Sequence, residues 1–575
     1  MIGDLIRGRK AAFFAGLIAA LVAVVVWLHL GVEPPQPHSV HSDEYIQHAH
    51  RVMLLQELRA GMWAHPLEWL RLADIDYPPG IYLVAVPLSL VFGPEASHVV
   101  WSWMGWVVLL GVAMASVVRG FGGAREARAA AFAAAFLIPA VPGSAARMHY
   151  DLPMIAMVWL AVGAALNTWN RESRKEAILG GVLTGVFVVG ACLMKWTALP
   201  MAGAGLIGAA CSGPRMGRVA SFRRRVPPML ATLLTVGVGL ALFLSISSES
   251  LELMSLTFTQ GEESRMEGLF GLLPTPLARP LAQLGIQLPL LPTWLTFYLL
   301  SLVFMVFSPV LSLLVLGLAI RWLAGERRGV VPLGLFLVLG LGFLTLNVPI
   351  ADARFVLPLA PIPAVAAVLG WSMLRPGLRR GVGLVTVLVG LAVAVDFHLL
   401  DVAEDPQGQI VWRKQLRDHP GEVMHRGLGL ASSIKDRGWV RRDEALPHRL
   451  PFREALWRTR LACGAEHLGV SPDLITYGDD RYWWAYRASL AGLRGEKTPG
   501  VGPPSEICEM QNPDAELAKV LFITGKSGKI PDLPACIADR EETWRYDGFV
   551  PDPEGGAGAA VFLAVGLPRC VGKTP

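Results

Sequence analysis

The 575-residue chain is 53% hydrophobic and only 17% charged, with a mean hydropathy of +0.46. That balance excludes an ordinary soluble globular protein. The formal net charge of +5 decides little as a total, because in such a chain the placement of the cations carries the information.

The first apolar run, residues 11–30, follows Arg7, Arg9 and Lys10. It is too long for a signal peptide and no small-residue cleavage site follows, so it reads as an anchoring helix with a cytoplasmic N-terminus. Residues 31–79 then form a long extracytoplasmic loop. VEPPQPH opens it in an extended form. Ser42 caps a helix that runs to about Ala60, with Asp43 and Glu44 in its first turn. Acids there face the positive end of the helix dipole, worth about 0.3–1 kcal/mol, and capping alone is a sufficient reading of them. DIDYPP, residues 74–79, closes the loop, and Asp76 suits a turn position before Tyr77-Pro78-Pro79.

GIYLVAVPLSLVFG, residues 80–93, carries Pro87 and is short for a span. It reads as a re-entrant or interfacial piece. Longer apolar runs follow near residues 97–118, 129–146, 152–170, 177–194, 197–211, 228–247, 294–320, 330–348, 355–374 and 381–400. With the first run they make about eleven expected membrane helices.

Charge supports this parity. The expected cytoplasmic loops hold Arg7, Arg9, Lys10; Arg119, Arg125, Arg128; Arg171, Arg174, Lys175; Arg215, Arg218, Arg223, Arg224, Arg225; Arg321, Arg327, Arg328; and Arg375, Arg379, Arg380. The opposite loops hold Arg51, Arg59, Arg71, Arg147, Lys195, Arg265, Arg279 and Arg354. Counting residues 80–93 as a full span would invert every later loop and destroy the positive-inside pattern.

The chain therefore divides into a membrane domain, residues 1–400, which includes the first outer loop 31–96, and an extracytoplasmic domain, residues 401–575. The latter is charged and Pro-rich and has no span. KVLFITG (519–525) and AAVFLAVG (559–566) read as strands and FREALWRTRLACGAEHLG (452–469) as a helix, a small α/β domain. Cys463, Cys508, Cys536 and Cys570 lie in it. They allow two disulfides in three connectivities, which suits an oxidising compartment. No phosphate loop of the GxxxxGK[ST] form, no GxGxxG after a strand and no HExxH occur. The basic run Arg223–Arg225 is explained by topology, and a nucleic-acid partner is not expected.

The outer helix ends carry isolated ionisable residues: RMHYD (147–151), Lys195 in ACLMKWT, and ADAR (351–354). Ionisable residues at membrane depth are costly and mark function. Bland roles compete with this: snorkelling for Lys195 and Arg354, capping ahead of Pro153 for Asp151, and loop surface for Arg147. All the same, carboxylates and cations on one side of a bilayer suit a base that deprotonates an acceptor hydroxyl and cations that stabilise a departing phosphate.

Four stretches in this order resemble the GT-C superfamily of membrane glycosyltransferases. Within it they resemble the branch of protein O-mannosyltransferases and lipid A aminoarabinose transferases. They are SDEYIQHAH, DYPPGIYLVAVPLSLVFG, RMHYDLPMIAMVWLA and DARFVLPLAPIPAV. GVLTGVFVVGACLMKWTALP resembles that family's helix ending in a lysine. The resemblance implies Asp43 as catalytic base with Glu44 beside it, and Asp151 in the acceptor or donor site. It implies Lys195, Arg354 and Arg147 as ligands of the donor phosphate. Asp76 keeps the carboxylate of the Glu-Lys that precedes Pro-Pro in the aminoarabinose transferases, while Tyr77 stands where they have the cation. A histidine metal ligand expected in the loop near residues 248–293 has no match. Glu262 and Glu263, on their own a solvated run, are nearest, so a divalent metal stays open and no other cofactor is expected.

The expected protein is an α-helical polytopic membrane protein of GT-C-like fold with a C-terminal extracytoplasmic α/β domain, in the inner or plasma membrane. The expected partners are a polyprenyl-phosphate-linked sugar donor, a lipid, glycan or protein acceptor, and membrane lipids. A transporter or flippase of lipid-linked sugars is the alternative. That reading calls for charged residues at mid-span and paired broken helices, whereas here the charges gather at outer helix ends.

Overall fold

The computed structural model describes residues 42–72, 78–93, 96–138, 141, 150–169, 171–212, 219–246, 295, 298–299, 302–307, 309–325, 327–347, 353–399, 449–463, 468–470, 505–506, 520–525, 529–533, 544–551, 558–565, 567 and 569–571. The helices in chain order are α1 (Ser42–Arg59), α2 (Pro66–Leu72), α3 (Gly80–Phe92), α4 (Ala96–Gly120), α5 (Arg125–Leu137), α6 (Asp151–Thr168), α7 (Arg174–Met194), α8 (Ala198–Ala210), α9 (Val219–Ile246), α10 (Pro309–Gly325), α11 (Arg327–Asn347), α12 (Pro361–Ser372), α13 (Pro376–Leu399) and α14 (Arg449–Cys463). The chain forms two compact units. One comprises Met1–Pro35, Leu70–Val84 and Val100–Arg441, and the other Gln36–Trp69, Ala85–Val99 and Arg442–Pro575.

In the first unit the apolar runs are helices. Among the described residues, five stretches are long and apolar enough to cross a membrane: Trp103–Gly120, Asp151–Thr168, Arg174–Met194, Arg224–Ser245 and Phe355–Ser372. Shorter apolar helices cover Gly80–Val91, Ala198–Ala210, Val310–Gly325 and Val330–Thr345. The first expected span, 11–30, lies outside the described residues. The span expected at 355–374 is broken in two, a 3-10 helix Ala353–Leu359 followed by α12. Pro358 and Pro361 have no N–H to continue an α-helical ladder, so the break follows from the sequence. The span expected at 294–320 is likewise divided, with a π-helical turn at Leu302–Phe307 before α10, whose first residue is Pro309.

α7 shows how these helices pack. It starts at Ser173, whose hydroxyl accepts the Glu176 N–H at 3.4 Å, the S-x-x-E signature of a helix start. Glycines on its flanks then let two neighbours close in. A Cβ on Gly180 would lie 2.2 Å from Thr168 of α6, and one on Gly181 2.2 Å from the Pro228 carbonyl oxygen of α9. The Thr232 hydroxyl bonds the Gly181 carbonyl at 2.9 Å across the same contact. Small residues and a hydroxyl donor are how helices associate where lipid removes the hydrophobic drive. The other side of α9 leaves Leu233, Leu234, Val238 and Leu242 exposed, a surface suited to acyl chains.

In the second unit, α1 is followed by Gly61 at φ +110°, a left-handed conformation that reverses the chain into a 3-10 turn, Met62–Ala64. α2 then folds back, and the Trp69 indole donates to the Leu54 carbonyl of α1 at 3.2 Å. Arg51 of α1 is fully buried. It donates to the Ser89 hydroxyl at 2.6 Å, and that hydroxyl bonds the Ala85 carbonyl.

Among the described residues, the C-terminal part holds a five-stranded sheet: β1 (Leu468–Val470), β2 (Ser505–Glu506), β3 (Val520–Gly525), β4 (Trp544–Val550) and β5 (Gly558–Ala564), in the order β2-β1-β3-β5-β4. β1 pairs in parallel with β2 and β3, while β5 is antiparallel to both β3 and β4. Leu521, Ile523, Ala560 and Phe562 form the core of one face, with Leu533, Trp544, Tyr546 and Phe549 against it. Val520, Phe522, Val561 and Leu563, which point to the other face, are buried as well. Burial on both faces explains why these strands read as continuous apolar runs. The helix expected at 452–469 ends at Cys463, because Leu468–Val470 leaves to become β1 between two partners.

A register shift between Tyr546 and Gly548 marks a β-bulge at Asp547. The Asp547 carboxylate accepts the backbone N–H of Cys570 at 2.8 Å and of Val571 at 2.9 Å. Cys570 is in turn disulfide-bonded to Cys463 of α14, 107 positions earlier. Cys508 and Cys536 lie outside the described residues.

Candidate functional site

One buried ion pair stands out among the described residues of the first unit. α6 begins with Asp151, next to the positive end of its own dipole, and α7 ends just before Lys195, next to the negative end of its own. Each charge is therefore of the sign its helix end favours. The helices pack so that the charges meet. Lys195 Nζ lies 2.7 Å from Asp151 Oδ1, with Asp151 1% and Lys195 6% exposed. Lys195 is the residue after the helix, in an extended conformation, its N–H still bonded to Ala191. That turn out of the helix directs its side chain toward α6.

Aromatic faces complete the enclosure. Lys195 Nζ is 4.6 Å from the Tyr150 ring centroid and 4.5 Å from that of Phe355, distances at which a ring quadrupole attracts a cation. Phe355 comes from the 3-10 helix Ala353–Leu359. That element is fixed to α6 by the Trp159 indole, which donates to the Pro358 carbonyl at 3.0 Å. A further element arrives at the same end of α7. Pro78, Pro79 and Gly80 are buried, and a Cβ on Gly80 would lie 2.5 Å from the Leu193 carbonyl oxygen. The Pro78-Pro79-Gly80 turn thus abuts the residues that lead into Lys195. Four separate stretches named from the sequence, around residues 80, 151, 195 and 355, converge here.

Of the expected site residues, the described structure brings together Asp151 and Lys195. Arg354 is the second residue of the 3-10 helix beside them, and its side chain lies outside the described set. Asp43 and Glu44 fall in the first turn of α1, in the second unit, again with side chains outside the described set. Asp76, Arg147, Glu262 and Glu263 lie outside the described residues. Among the described residues no three His, Cys, Asp or Glu side chains gather as a metal site would require, so Glu262 and Glu263 keep only their sequence basis as metal ligands. Sequence reasoning named neither Tyr150 nor Phe355 as part of the site. Each directly adjoins a residue it did name, Asp151 and Arg354, which was the available signal.

Chemically, the cluster stores a cation in a low-dielectric, aromatic-walled position at the end of a membrane helix. Its carboxylate partner keeps that charge from being stranded.

Neither a protein-family model nor a curated protein sequence matches the chain. Solved structures do, among them ArnT from Cupriavidus metallidurans in the apo state, and the same protein bound to undecaprenyl phosphate. Each matches with a TM-score of 0.57 at 14% sequence identity, over 96% of this chain and 98% of that chain. The likeness is one of fold and runs nearly end to end. The chain has the ArnT-like GT-C fold, a polytopic helical membrane protein with strands in its C-terminal part, and the resemblance seen in its motifs holds at that level.

Proposed function

We propose that the chain is an integral-membrane glycosyltransferase that moves a monosaccharide from a polyprenyl-phosphate carrier to a hydroxyl or phosphate on a lipid, glycan or protein acceptor. The observation that carries this reading is the enclosed Asp151–Lys195 pair at converging helix ends, in a chain with the fold of a protein solved with undecaprenyl phosphate.

On this reading the acceptor oxygen attacks the anomeric carbon as Asp43 takes its proton. The bond from that carbon to the carrier phosphate breaks on the opposite face, so the configuration inverts. The lipid phosphate leaves with the electron pair, and its developing charge is met by Lys195, Arg354 and Arg147, the arginines well suited to bidentate contact. Lys195 then exchanges Asp151 for the phosphate when the donor arrives. Glu44 supports Asp43, and Asp76, Glu262 and Glu263 contact substrate or a divalent metal. The active face is extracytoplasmic, with the N-terminus in the cytoplasm.

The test uses the full-length protein reconstituted with labelled polyprenyl-phosphate sugars and membrane extracts as acceptors. The wild type is expected to transfer label to an acceptor, and Asp43→Asn to lose transfer while still binding the lipid phosphate. Transfer at equal rates in both would remove Asp43 from the mechanism. Movement of intact lipid-linked sugar across the bilayer without transfer would replace the enzyme by a flippase.

A further inference from the structure

A carboxylate inside an otherwise aromatic strand needs a reason, and the reaction proposed above does not supply one for Asp547. β4 sets Trp544, Tyr546 and Phe549 against the core of the sheet. The bulge at Asp547 interrupts that series and re-aims the side chain, which is fully buried. A buried carboxylate is tolerated where hydrogen bonds offset its lost water. Here one oxygen, Oδ2, accepts the backbone N–H of Cys570 at 2.8 Å and of Val571 at 2.9 Å. Earlier on the same strand, Arg545 donates to the Leu567 carbonyl at 2.9 Å. At Gly548 a Cβ would lie 2.6 Å from the Val571 side chain. Leu567, Cys570 and Val571 are thus seated on β4 by contacts that involve no sulfur atom. β4 is also a strand that α14 contacts, and α14 ends in Cys463.

Without such contacts the observed disulfide runs against chain statistics. Cys463 pairs with Cys570 across 107 positions, although Cys508 and Cys536 are both nearer to it in sequence. Loop closure becomes rarer with about the 3/2 power of loop length, so an unstructured chain would bring Cys508 to Cys463 about fourfold more often than Cys570. One hydrogen bond to a carboxylate shifts an equilibrium by about tenfold or more. Asp547 makes two, one of them to Cys570 itself, which is enough to reverse the preference.

We propose that Asp547 directs the pairing of Cys463 with Cys570, by holding the Cys570 backbone against β4 before the sulfur atoms are joined. The joining is thiol–disulfide exchange with an external disulfide. One cysteine thiolate attacks the external disulfide and forms a mixed disulfide, releasing one thiol. The other cysteine thiolate attacks the protein sulfur of that mixed disulfide and releases the second. The two cysteines lose two electrons and two protons, and the external disulfide gains them as two thiols. Asp547 touches none of these sulfur atoms and acts through position alone. The inference does not depend on the glycosyl transfer proposed above.

The test reduces the purified full chain, reoxidises it with oxidised glutathione, blocks the remaining thiols and maps the linked peptides of Cys463. The wild type is expected to return Cys463 to Cys570. Asp547→Ala should divert it, with Cys508 becoming the commonest partner by about the fourfold that loop length dictates. Asp547→Asn keeps an acceptor oxygen and should fall between the two. Leu521→Ala, which opens a cavity in the sheet core away from the bulge, controls for a general loss of stability, followed by proteolysis of the C-terminal domain. It should become more sensitive to protease and still pair Cys463 with Cys570. Wild-type pairing in Asp547→Ala overturns the proposal. Equal diversion in Leu521→Ala overturns it too, since pairing would then follow the stability of the sheet and not the grip of Asp547.

Discussion

Lys195 has been given a carboxylate at 2.7 Å and two aromatic faces, and its energetics follow from that company. Removing one member of a buried pair leaves the other as an uncompensated charge, at a cost of about 3–5 kcal/mol. Lys195→Met and Asp151→Asn are therefore each expected to lower the thermal unfolding midpoint of the purified protein. The double variant should recover part of the loss, which a double-mutant cycle measures directly. Additive losses would mean that the two side chains do not interact in solution. The sequence marked both residues as charges at outer helix ends, yet not as a pair. They are 44 positions apart, and their meeting depends on how α6 and α7 pack, which no local pattern encodes.

At the scale of elements, the start of α3 is the most constrained junction. Gly80 has no room for a Cβ because the atom it would meet, the Leu193 carbonyl oxygen, is backbone and cannot rotate away. Gly80→Ala should therefore cost about 1–3 kcal/mol, the usual range for overpacking. On the proposed function it should also depress transfer more than binding, by shifting the strand of chain that leads into Lys195. Thermal unfolding and a comparison of kcat with KM would show it, and an unchanged midpoint would count against the close approach. Most elements were legible beforehand. Hydropathy alone places α4, α6, α7, α8 and α9 within several residues of their ends, except for an early start of α9 at Val219. β3 and β5 announce themselves as apolar runs buried on both faces. β4 does not, because Asp547 at its bulge and Gly548 interrupt the pattern. The end of α14 was likewise misplaced, since the competing strand β1 is stabilised by partners more than 30 residues away in sequence and not by its own composition.

For the molecule as a whole, the cysteines argued for an oxidising compartment without choosing among connectivities. The structure joins Cys463 to Cys570. Peptide mapping under non-reducing conditions should recover this linked pair from protein made with its C-terminal part outside the cytoplasm. Cys570→Ser should destabilise the C-terminal domain by about 2–5 kcal/mol, read as earlier proteolysis of that domain with the membrane helices intact. Free thiols at both positions in the native protein would contradict the pairing.

The strand order carries a consequence for how this domain is made. β5 follows β4 in sequence but lies between β3 and β4, and it pairs with both. Until β5 and the segment after it have emerged, β4 lacks its described sheet neighbour, Cys463 lacks Cys570, and Asp547 lacks the N–H groups of Cys570 and Val571. A nascent chain therefore cannot close this sheet piecemeal. A message cut short before residue 558 would leave both β4 and β5 out of the described sheet, open an edge along β3, and leave Cys463 without Cys570. The topology thus makes the whole sheet depend on the last strand to be synthesised.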